Sequence, residues 1–123
     1  MPIARPLFVD PDHVTGKVTG APVVGKRFVK YAAGSTMSLL NVATAGAGDT
    51  PAGVAGHDGA VGEVIHLITY SHVPVVAAVD LIVGDLVKVA AEGKADKIGA
   101  GERPVGIVAV AAAAGADAGI FLY

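Results

Sequence analysis

The sequence predicts a mainly β fold, a small β-barrel or compact β-sandwich with an extended N-terminal arm and little helix. Three observations carry the prediction. Short runs rich in β-branched and aromatic residues recur along the chain, Gly and Asp pairs fall between them, and prolines crowd the first 24 residues. Strands of a few residues separated by turn signals are the pattern of a barrel or sandwich.

Residues 1–24 hold Pro2, Pro6, Pro11 and Pro22, each lacking a backbone donor and pushing its predecessor out of the helical region. Apolar residues persist there (Ile3, Leu7, Phe8, Val9, Val14, Val18), whereas a disordered tail would be polar and charge-rich. The segment therefore reads as an arm that docks on something, followed by a single β-rich domain over 25–123.

In that domain the expected strands are Arg27–Ala32, Met37–Val42, Glu63–Tyr70, Val73–Val79, Leu86–Ala90, Val105–Val110 and Ile120–Tyr123. In the third, Ile65 and Leu67 would share one face, with Val64, Ile68 and Tyr70 on the other; both faces look covered. Turns are expected at Gly48-Asp49, Asp58-Gly59, Gly84-Asp85 and Glu92-Gly93. The one helical candidate is Ala109–Ala114, stopped by Gly115.

An internal echo adds organisation. Pro51-Ala52-Gly53-Val54-Ala55 leads to Gly62, and Pro104-Val105-Gly106-Ile107-Val108 leads to Gly115, with the same spacing. Two similar units packed in one barrel would produce it.

Composition narrows the function. The 123 residues suffice for a real core. With Ala and Val dominating, no Trp and only three Phe and three Tyr, each buried residue removes little area from water, which favours a subunit that leans on neighbours. Absent cysteines exclude disulfides and thiolate chemistry. A net charge of -2 with mixed signs gives no footprint for nucleic acid, and the knot of Lys26, Arg27 and Lys30 reads as a solvated strand face. No apolar run approaches the ~20 residues of a membrane span, and the N-terminus has no export signal, so a soluble protein is expected.

Motifs with chemistry mostly fail. Gly20-Ala21-Pro22-Val23-Val24-Gly25-Lys26 has the spacing of a phosphate-binding loop, but Arg27 stands where Ser or Thr would ligate magnesium and a strand follows in place of a helix. His13, His57, His66 and His72 lack metal-ligand spacing; Ser35, Ser38 and Ser71 sit in no nucleophile elbow; Asp10 and Asp12 flank an arm proline, and Asp49, Asp58 and Asp85 occupy turns. No catalytic, cofactor or metal residue is assigned. Gly84-Asp85-Leu86-Val87-Lys88-Val89 with Glu92-Gly93-Lys94 partly resembles the hairpin of biotinyl and lipoyl carrier domains, so a carrier or ligand-binding barrel centred on Lys94 is the alternative expectation.

The arm, then Gly25-Lys26-Arg27-Phe28-Val29-Lys30, Pro51-x-Gly53-Val54-Ala55, Gly84-Asp85-Leu86-Val87-Lys88-Val89 and Pro104-Val105-Gly106-Ile107, in that order, resemble the head decoration proteins of tailed bacteriophages over roughly residues 25–123. The resemblance implies a non-enzymatic cement protein on the outer surface of the virion, made in the host bacterial cytoplasm. Its partner would be the major capsid protein, bound as a homotrimer, with no nucleic acid, membrane, cofactor or small-molecule substrate. The arm residues Ile3, Arg5, Leu7, Phe8 and Val9 are the candidate capsid contacts.

Overall fold

The computed structural model describes residues 14–69 and 71–123. Ten strands alternate with turns: β1 (Val14–Val18), β2 (Phe28–Tyr31), β3 (Asn41–Thr44), β4 (Gly53–Ala55), β5 (Val64–Ile68), β6 (Ser71–Val76), β7 (Leu86–Val89), β8 (Ala95–Lys97), β9 (Gly106–Val110) and β10 (Asp117–Leu122). A 3-10 turn, Ala91–Gly93, joins β7 to β8. The first five strands close a barrel in the order β1-β3-β2-β4-β5, and the last five form a sheet in the order β6-β10-β9-β7-β8.

These are two copies of one unit. The hairpin pairs Val54↔Ile68 and Ala55↔Leu67 recur 53 positions later as Ile107↔Phe121 and Val108↔Ile120. The antiparallel pair Val14↔Leu67 recurs as Val73↔Ile120, Phe28↔Val54 as Leu86↔Ile107, and Tyr31↔Val42 as Val89↔Ala95. Even the parallel pair that closes the first barrel, Val18↔Val42, has its counterpart in the bridge Ala77↔Ala95, which draws the second sheet toward closure. The bridges Val23↔Gly59 and Leu81↔Ala112 match likewise.

The cores repeat with the same register. Val18, Val23, Val29, Val42, Ala55, Ile65 and Leu67 fill the first barrel, and Ala77, Leu81, Val87, Ala95, Val108, Ala118 and Ile120 stand at the equivalent places in the second. Partners trade volume: Val18 against Ala77 and Ile65 against Ala118 are offset by Val23 against Leu81 and Ala55 against Val108, as close packing demands. The echo seen in the sequence is thus a fragment of a duplication that runs through all ten strands, with one barrel-like unit per copy instead of two motifs inside one barrel.

Several expectations need correction. Residues 14–24 belong to the body, not to an arm: β1 is hydrogen-bonded between β3 and β5, and Val18 and Val23 are fully buried. The β-branched Val14 and Val18 prevail there because a closed barrel needs a fifth strand to satisfy β3 and β5. Residues 1–13, with Ile3, Arg5, Leu7, Phe8 and Val9, lie outside the described residues. The alanine run is not helical. Val110 ends β9, Ala112 exchanges backbone hydrogen bonds with Leu81, and Gly115 makes the left-handed turn into β10. Sheet pairing overrides alanine's helix propensity there. Met37 to Leu40 are hairpin tip; the strand begins at Asn41.

Candidate interaction surfaces

The polar side chains mostly hold turns, and the same devices appear in both units. Asp49 accepts the Gly46 N–H at 2.8 Å and pairs with Lys30 at 3.1 Å; Glu102 accepts the Gly99 N–H at 2.6 Å and pairs with Lys88 at 2.9 Å. The segments that carry them read Gly46-Ala47-Gly48-Asp49 and Gly99-Ala100-Gly101-Glu102. The Gly46 amide, then Lys30, hold the Asp49 carboxyl below its usual range, and Lys88, then the Gly99 amide, do the same for Glu102. Lys88 is raised in turn by its bond to Glu102. Both pairs are solvent-facing, where such bonds fix loop geometry more than they add stability.

Other carboxylates behave alike. Asp58 accepts the Gly25 N–H at 2.7 Å, Asp85 the Ile82 N–H at 2.9 Å, Asp80 the Ala114 N–H at 2.9 Å and Glu63 the Ala60 N–H at 2.8 Å. Ser35 accepts from the Asn41 N–H at 2.9 Å and donates to the Ala32 carbonyl at 3.0 Å, locking the β2–β3 hairpin.

The histidines divide by unit. His57 and His66 are neighbours on the outside of the first barrel: the His66 N–H donates to His57 Nε2 at 3.3 Å, and His57 Nδ1 lies 2.8 Å from the Asp58 carbonyl. This pattern assigns the proton of the neutral ring to Nδ1. His72 lies on the second unit over Gly119. Among the described residues no three His, Asp or Glu side chains converge as a metal site. Segment 20–27 likewise forms no phosphate cradle. Val23 is bridged to Gly59, Lys26 takes a positive φ of 63° and reaches Asp117 at 2.7 Å, and β2 follows at once. Hydrogen bonding to Asp117 raises the Lys26 ammonium above its usual range.

Lys94 does not sit at a free tip. Its ammonium lies 3.5 Å from Glu92, its N–H returns to the Ala91 carbonyl, and the adjoining turn is packed against the first unit. That arrangement differs from a hairpin that offers its lysine to a modifying enzyme.

The junction between the units holds two shallow clefts. One, of about 200 Å³, is lined by Phe28, Pro51, Thr69, Pro104, Leu122 and Tyr123; the other, of about 280 Å³, lies among Asp49, Pro51, Lys88, Glu102 and Arg103. Ligand pockets usually span about 300–1,000 Å³ and enclose most of their occupant. Within the second cleft Lys88 is paired with Glu102, and Asp49 is paired with Lys30. The larger surface feature is a scatter of exposed apolar side chains on a protein without buried polar residues among those described: Tyr31, Met37, Leu39 and Val64 on the first unit, and Ile82, Val83, Val110, Phe121 and Tyr123 on the second. Sequence reasoning placed Ile120–Tyr123 in a strand, of which Ile120 and Leu122 are core and Phe121 and Tyr123 surface. It missed the first-unit set, because alternation along a strand cannot reveal which outer face a neighbouring unit covers.

No protein-family model matches the chain, and no curated protein is significantly similar to it in sequence. Among solved structures, the N base of head fiber gp8.5 in bacteriophage phi29 is similar, with a TM-score of 0.76 at 20% identity, over 89% of this chain and 92% of that one. The mainly β fold, with its closed five-stranded barrel, is therefore one that a phage head protein also adopts. Among the described residues no helix is long and apolar enough to cross a membrane.

Proposed function

We propose that the chain is a non-enzymatic structural protein of a bacteriophage head, a cement protein that binds the outer surface of the assembled capsid as a homotrimer and braces neighbouring major capsid subunits. The observation that carries this reading is the fold shared with a phage head fibre's base along nearly the whole of both chains. The absorption of carboxylates and of Ser35 into turns and ion pairs supports a role in scaffolding over one in chemistry. The destination is the virion, after synthesis in the host cytoplasm, with no part for nucleic acid, membrane or small-molecule substrate.

Residues 1–13 supply the strap in this reading, with Ile3, Arg5, Leu7, Phe8 and Val9 contacting the capsid. A strap and a compact body on different capsid subunits bind with an effective concentration that neither contact has alone. Prolines help, because they restrict the free segment and so reduce the entropy lost on docking. The test is co-sedimentation with purified, undecorated heads. The full chain should pellet in stoichiometric amount, and a chain beginning at Val14 should keep its melting temperature yet bind at least tenfold more weakly. Failure of the full chain to pellet overturns the cement role; equal binding by the two chains overturns the strap.

A further inference from the structure

The contact between the two units is head to tail, and apolar side chains equivalent to each half of it stand exposed on every chain. The first unit contributes the outer side of β2, β4 and β5: Phe28, Val54 and Ile68 point away from their own barrel and join the second unit's core. The Lys26 carbonyl accepts the Val76 N–H at 2.9 Å, Lys26 pairs with Asp117, Arg27 reaches Glu92, and the Phe28 backbone lies so close to Gly93 that a Cβ there would be 2.5 Å from the Phe28 carbonyl oxygen. The second unit thus answers with the β7–β8 turn, the end of β6 and the start of β10. Different parts of the repeat meet, as in a heterologous interface, and not the same part twice.

Duplication identifies the exposed equivalents. Phe28, Val54 and Ile68 correspond to Leu86, Ile107 and Phe121 on the second unit, where Leu86 and Ile107 are half-covered and Phe121 is 50% exposed. The elements that receive them correspond on the first unit to the β2–β3 hairpin, the start of β5 and the end of β1; Tyr31 is 55%, Val64 53% and Met37 76% exposed there, while the Lys17 N–H, counterpart of the Val76 N–H, already donates to the Leu40 carbonyl, so side chains carry this face. That hairpin is also five residues longer between paired positions than its counterpart, Tyr31↔Val42 against Val89↔Ala95, so it reaches farther out.

We propose that these two faces bind each other between copies of the chain: the Leu86, Ile107 and Phe121 face of one copy seats on the Tyr31, Met37 and Val64 face of the next. The occupant is a second copy because the same pair of surfaces is already joined inside each chain, so the intermolecular contact continues an existing one. A heterologous contact closes into a ring where its rotation allows. Three copies would give a ring of six similar units, which names the interface of the homotrimer proposed above and rests on that part of the reading.

Light scattering with sedimentation velocity tests it, with each variant first shown to keep the wild-type melting profile. Wild-type protein should have three times the monomer mass. Phe121→Asp and Met37→Asp should each reduce that mass about threefold, while Ile82→Asp, exposed but on neither face, should leave it unchanged. Mixed in equal amounts, the two monomeric variants should form a species of two chains, because each retains the half that the other lost. A trimer that survives both substitutions overturns the interface while leaving the trimer standing; a wild-type monomer at every concentration overturns both; absence of the mixed pair overturns the head-to-tail arrangement. Head co-sedimentation is a separate readout, so none of these outcomes is confused with failure of capsid binding.

Discussion

Gly53 and Gly106 occupy the same place in the two copies, and the same physical fact explains both. A Cβ on Gly53 would lie 2.8 Å from the Ile68 carbonyl oxygen, and one on Gly106 would lie 2.8 Å from the Phe121 carbonyl oxygen and 2.7 Å from Ile120 Cγ2. Neither glycine has a positive φ. Close approach of the partner strand, and not a left-handed turn, is the reason for a residue without a side chain. The spacing from Pro to Gly was readable in the sequence; which of two glycine properties it served was not, because that depends on a strand 15 residues away in the chain. Overpacking of this kind costs about 1–3 kcal/mol. Gly106→Val should therefore lower the melting temperature by several degrees, measured by differential scanning calorimetry, and Gly53→Val should act similarly. An unchanged melting temperature for either would mean that the hairpin opens freely and that the repeated glycine has no packing role.

At the scale of elements, strands with a buried face and β-branched residues were legible: β2, β5, β6, β7, β9 and β10 all overlap expected runs. The strands that escaped notice are short or atypical. β8 has three residues, Ala95-Asp96-Lys97, whose one buried side chain is an alanine. β1 was read as arm because prolines surround it, yet Gly16 admits Val42 and Leu67 across the barrel where a Cβ would clash, and Lys17 donates to the Leu40 carbonyl at 2.7 Å. A strand bonded on both sides cannot be removed as a tail could. A chain beginning at Gly25 strips β3 and β5 of their partner and empties the places of Val14 and Val18. It should lose the cooperative melt or, at the least, fall far below the chain that begins at Val14, when both are followed by circular dichroism. Equal melting temperatures would show that β1 is dispensable and return residues 14–24 to the arm.

The whole molecule joins two similar units that are not equally self-sufficient. The first closes a barrel around its own seven-residue cluster, with Val14 packed against it. The second has seven equivalent residues, but its core continues into Phe28, Ala45 and Val54 of the first unit, and its sheet is drawn shut by the bridge at Ala77. The duplication was legible only where side chains repeat, in Pro-x-Gly and the following turn; most equivalent core positions differ in size, so the match lies in register and not in identity. Each described unit, 14–69 and 71–123, has fewer than 60 residues, the range where a domain buries only about 60% of its unfolded surface and is marginal alone. The second half should suffer more, since isolation exposes both its shared core and the underside of its β7–β8 turn. Expressed separately, residues 71–123 should show no cooperative thermal transition, whereas residues 1–69 should retain a weak one. Mixing the two should restore a sharp melt through the same Phe28, Val54 and Ile68 contact. If residues 71–123 melt cooperatively alone, with a midpoint near that of the intact chain, the core shared with Phe28, Ala45 and Val54 contributes nothing to the second unit.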